Sequence, residues 1–112
     1  MHSSLALAVL RIDEALLLFR SLNARQIADR GPVLSSELAA ILEQSAPDGE
    51  RTAQETHMLE SSRELAETGA TAAYPGMAVK NLAFGLALAV AKRRGYVIAR
   101  MADGSVRVNS TR

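Results

Sequence analysis

Residues 92–109 read KRRGYVIARMADGSVRVN. Three cations close an apolar stretch, Gly95 offers a stop, and two short β-type runs flank Asp103-Gly104. That dipeptide suits the two-residue turn of a tight hairpin. With the turn there, Ala102 faces Ser105, Met101 faces Val106, Arg100 faces Arg107 and Ala99 faces Val108. Val97, Ala99, Met101, Val106 and Val108 then share a face suited to covering helices. Arg100, Arg107 and Asn109 share the other, with Ile98 less exposed than they are. A one-residue slip would exchange the faces.

Upstream, the pattern is helical. LAFGLALAVA, within a helix expected over 78–94, is apolar around much of its circumference, as in the central helix of a core. Lys92, Arg93 and Arg94 suit its negative end and Gly95 its termination. Thr52-Ala53-Gln54-Glu55 fits a capping box opening a helix over 53–67, with Met58, Leu59, Ser62, Leu65 and Ala66 inward. Ser35 and Ser36 precede a short helical run, ELAAIL. Gly31-Pro32 reads as a break, because proline disfavours a continuing helix. The first helix is then expected from Ser3 or Ser4 to about residue 29. Leu5, Val9, Ile12, Leu16 and Phe19 form its inner face, and Leu10, Leu17 and Ala24 lie around the side.

The chain has 112 residues, 48% of them hydrophobic but only 4% aromatic, which suits one mainly helical domain. Cysteine is absent, so disulfides, thiolate catalysis and cysteine-held zinc are excluded. The start, MHSSLALAVLRIDE, lacks the basic region and cleavage site of a secretory signal, and the apolar run 82–91 is too short to span a bilayer. A soluble cytoplasmic protein is expected. The net charge of +1 conceals two poles: residues 1–70 hold six Arg against eleven Asp or Glu, and residues 71–112 hold seven Lys or Arg against one Asp. Attraction to a polyanion would have to come from the second part.

The segments SSELAAILEQ, TAQETHMLESSRELAE, AVKNLAFGLALAVAKRRG and YVIARMADGSVRV, in that order over about residues 33–109, resemble the winged helix-turn-helix family. The resemblance implies a mainly α fold with a C-terminal β-hairpin as the wing. Residues 1–30 would be a long N-terminal helix and candidate dimerisation element, and residues 33–112 the winged-helix-like domain. It further implies double-stranded DNA as partner. Lys80 and Asn81 would approach a groove, and Lys92, Arg93, Arg94, Arg100 and Arg107 would meet phosphate. Thr71 and Tyr74 would add backbone contacts. Two features depart from the family: the connection over 67–77 is long, and the recognition helix has no polar side chain from Leu82 through Ala91, where base reading needs donors or acceptors.

The cations have bland readings too. Opposed Arg100 and Arg107 would protect a sheet edge, and Lys92–Arg94 would complement a helix dipole. His57, Glu60 and Glu64 share one helix side without a metal-binding pattern. No phosphate loop or dinucleotide fingerprint occurs, and Ser61 and Ser62 lack an acyl-transfer context. The expectation is therefore a non-enzymatic DNA-binding regulatory or architectural protein acting as a homodimer through its N-terminal helix. No cofactor, metal, membrane or small-molecule ligand is expected. The alternative is a helical protein-interaction or assembly adaptor without nucleic-acid binding. Lys80, Lys92, Arg93, Arg100 and Arg107 on one connected face would favour the first reading. Dispersed cations with an exposed apolar patch would favour the second.

Overall fold

The computed structural model describes residues 2–69, 76–100, 102 and 106–109. Four helices occupy most of it: α1 (His2–Phe19), α2 (Ala24–Ser45), α3 (Ala53–Thr68) and α4 (Gly76–Arg94). A short 3-10 turn, Asp48–Glu50, joins α2 to α3. Two strands follow, β1 (Val97–Arg100) and β2 (Val106–Asn109).

The first break falls earlier than Gly31-Pro32. Asn23 caps α2, its Oδ1 accepting from the Gln26 amide at 3.0 Å, and the Ser21 Oγ accepts from the Asn23 amide at 3.1 Å. These bonds end α1 and reverse the chain at 20–23. Pro32 lies inside α2 instead of breaking it. It removes the amide that would bond to the Ala28 carbonyl, at a cost of about 3 kcal/mol. Against that, Ile27, Leu34, Leu38 and Leu42 are all buried along one stripe of the continuous helix, each worth about 1.5–3 kcal/mol. Tertiary burial wins. Gly31 helps, because it lets α2 approach α4 so closely that a Cβ would overlap the Val79 side chain.

Helix α4 packs against each of the other three. Val79, Ala83, Leu86, Ala87, Val90 and Ala91 are all buried on it, so most of its apolar surface is used inside one bundle, while Met77 and Leu88 stay exposed. Phe84 stacks on Phe19 of α1 with ring centroids 4.4 Å apart. Ile12, Ala15, Leu16 and Leu18 carry α1 into the same core. Because α2 runs through residues 30–33, α1 and α2 contribute side chains to one core with α3 and α4.

This corrects the winged helix-turn-helix expectation. The described residues form a mainly α-helical four-helix bundle, and among them no β-hairpin wing stands beside a recognition helix. The two short strands instead lie on the bundle, with β2 against α1 and Val108 in the core. α4 instead packs its buried side against α1, α2 and α3.

The register is also corrected. Val97 pairs with Asn109, Ile98 with Val108, Ala99 with Arg107 and Arg100 with Val106. This is one residue away from the register that a two-residue Asp103-Gly104 turn requires, and Val106 faces Arg100 in place of the expected Met101; the turn itself and the Ala102–Ser105 pair lie outside the described residues. Arg100 and Arg107 are not directly opposed. The slip brings Ile98 opposite buried Val108 and onto the core, and leaves Val97 exposed. Hiding the larger side chain decides the register. Gly95, at φ 73, ends α4, and the Tyr96 amide closes the turn on the Ala91 carbonyl at 2.9 Å.

Candidate protein-interaction surfaces

The sequence assigned seven residues to DNA, and the structure does not gather them into one free cationic face. Lys80 is only 7% exposed, and its Nζ donates to the Ser21 carbonyl at 2.9 Å, closing the end of α1. Asn81 beside it is exposed. Arg93 Nε and Nη2 donate to the two Glu55 carboxylate oxygens at 2.7 and 2.6 Å, and Nη2 also donates to the Glu50 carbonyl at 2.9 Å. Arg94 Nε donates to the Ser45 Oγ at 3.1 Å. Lys92 is exposed. Arg100 and Arg107 have defined strand positions, but their side chains lie outside the described set, as do Thr71 and Tyr74 altogether. Without a wing, the DNA-binding and transcription-regulation description loses its structural premise.

Glu55 joins two local designs. Its Oε1 accepts from the Thr52 amide at 2.9 Å while the Thr52 Oγ1 accepts from the Glu55 amide at 3.0 Å, completing the capping box. The hydrogen bonds from Arg93 are the chief reason its pKa falls to about 2, against the opposing effect of burial. The first turn of α3 is thus locked to the last turn of α4.

A second ionic cluster crosses α1 and α2. Arg30 Nε and Nη2 donate to Glu14 at 2.8 and 3.0 Å, and Arg11 Nε lies 3.2 Å from the Glu37 carboxylate. Hydrogen bonding from Arg30 holds the Glu14 carboxyl below its ordinary pKa. The same two helices also carry large exposed apolar side chains. Leu10 is 60% and Leu17 68% exposed, two helical turns apart on one side of α1, and Val33 is exposed between Arg30 and Glu37 on α2. Leu22, in the connection to α2, is 94% exposed. The sequence placed Leu10 and Leu17 at the side of α1, but only the bundle shows that no described element covers them.

A third feature is an open groove of about 690 Å³ between α3 and α4, lined by Met58, Gly85, Leu88 and Ala89, with Lys92 and the Glu55–Arg93 pair at one end.

Among the described residues, no three His, Cys, Asp or Glu side chains converge as a metal site, His57, Glu60 and Glu64 included. No described helix is long and apolar enough to cross a membrane. No protein-family model, curated protein or solved structure matches the chain.

Proposed function

We propose that the protein is a helical protein-interaction module that self-associates through the α1–α2 face. The observation that carries this reading is the exposure of Leu10 and Leu17 on a helix whose opposite side already fills the core. Two large apolar side chains with no intramolecular cover gain about 25 cal/mol for each Å² removed from water. Val33 enlarges the same surface, and Arg11, Glu14, Arg30 and Glu37 give it a neutral, mixed-sign polar component. Such a face suits a two-fold pairing, since a second copy presents both signs and no net like charge.

The commitment of Lys80 and Arg93 to internal partners supports the interaction reading over a phosphate-binding one. The module acts by contact rather than by chemistry.

Sedimentation across a micromolar concentration series tests the proposal. The wild type should shift from monomer towards dimer, and Leu10→Glu with Leu17→Glu should remain monomeric with unchanged helical circular dichroism. A wild type that stays monomeric throughout, or a double variant that still dimerises, would refute it. Titration with random duplex DNA in parallel should show no salt-dependent affinity at physiological ionic strength.

A further inference from the structure

The groove between α3 and α4 is a separate opportunity for binding. Its α4 side runs from Gly85 through Leu88 and Ala89 to Lys92, and its α3 side from Thr52 through Met58. Gly85 lets the Met58 side chain lie close against α4 on the floor of the trough: a Cβ there would come within 3.1 Å of the Met58 sulfur. From Gly85 to Arg93 the helix rises about 12 Å, so the trough is long enough for two turns of a docked helix.

The charge of the groove has a sign. Glu55 is neutralised by its two hydrogen bonds from Arg93. Lys92 is exposed, and its ammonium has no hydrogen bond or ion pair among the described residues. Leu88, one turn before Lys92, is an exposed large apolar side chain on the same lining. The trough therefore has an apolar floor at the Gly85 end and a free cation at the other. That combination matches a helix-in-groove mode of recognition with an acidic partner.

We propose that this groove receives an amphipathic helical peptide from a partner protein, whose large apolar side chain lies against Met58 and Leu88 at the Gly85 end and whose carboxylate, about two turns along, pairs with Lys92. Methionine suits such a role, because its flexible thioether adapts to differently shaped side chains. The site is distinct from the α1–α2 face and does not depend on self-association.

Methionine-methyl NMR provides the test, since the chain has four Met residues and Met58 lines the groove. The probes are helical peptides of about four turns, carrying Leu, Ile, Phe or Met as anchor and Glu or Lys two turns away. Glu peptides should shift the Met58 methyl and bind roughly three- to fivefold more tightly than their Lys counterparts. Lys92→Glu should reverse that preference, which general unfolding cannot do. Leu88→Lys should abolish the shift while thermal melting and the sedimentation of the protein stay unchanged. The proposal is overturned if no peptide perturbs Met58 at millimolar concentration, or if Lys92→Glu leaves the preference as it was. Conversion of a dimer to monomer by Leu88→Lys would also overturn it, assigning the groove to a second copy of this chain.

Discussion

Arg93 grips Glu55 through two hydrogen bonds, at 2.7 and 2.6 Å, and so ties the C-terminal turn of α4 to the N-terminal turn of α3. Glu55 at the same time closes the capping box on the Thr52 amide. One carboxylate thus secures a helix start and an interhelical contact.

That carboxylate makes the fold acid-sensitive. Its folded pKa of about 2 lies below the ordinary 4.5, so the unfolded chain takes up the proton first. The stabilisation is complete above about pH 4.5 and is lost as the pH falls through about 2. Urea unfolding at several pH values should show the decline, and Glu55→Gln should flatten it. At neutral pH the same variant should lose about 1–2 kcal/mol through the weakened cap and charge-assisted bonds.

Gly31→Ala should destabilise the protein although alanine is the better helix former. The propensity gain is about 0.5–1 kcal/mol, whereas overlap with Val79 costs typically 1–3 kcal/mol. Chemical denaturation should therefore give a net loss. Adding Val79→Ala should make the two effects non-additive, because the smaller side chain relieves the overlap. Strict additivity would remove the close approach as the reason for glycine.

Lys80→Met should weaken folding by about 1–3 kcal/mol, since it removes the donor to the Ser21 carbonyl. The loss should appear in thermal melting without any nucleic acid present. A lysine serving only as a surface cation would leave the melting temperature unchanged.

On α1, position within the turn should separate folding from association. Leu16→Glu places a carboxylate in the core and should unfold the bundle. Leu17→Glu, one residue on, should leave the fold intact and weaken self-association alone. Circular dichroism and sedimentation on the two variants read these outcomes separately.

Local chemistry was legible in the chain from its first reading. Thr52-x-x-Glu55 capped α3 with both reciprocal bonds, and Gly95 ended α4 with positive φ. Cap and turn signals act within one or two helical turns, so neighbouring residues suffice to specify them. The mainly helical character and the apolar stretch of α4 followed for the same reason. Gly31-Pro32 misled because its local cost was set against burial of Ile27, Leu34, Leu38 and Leu42, which only the packed bundle supplies. The strand register turned likewise on Ile98 reaching the core opposite Val108. The cations near the C-terminal end of the chain looked free because their partners, Ser21, Ser45 and Glu55, lie 38 to 59 residues away. Tertiary structure alone brings such groups together, and so it alone decided which charges hold the bundle and which apolar side chains remain outside it.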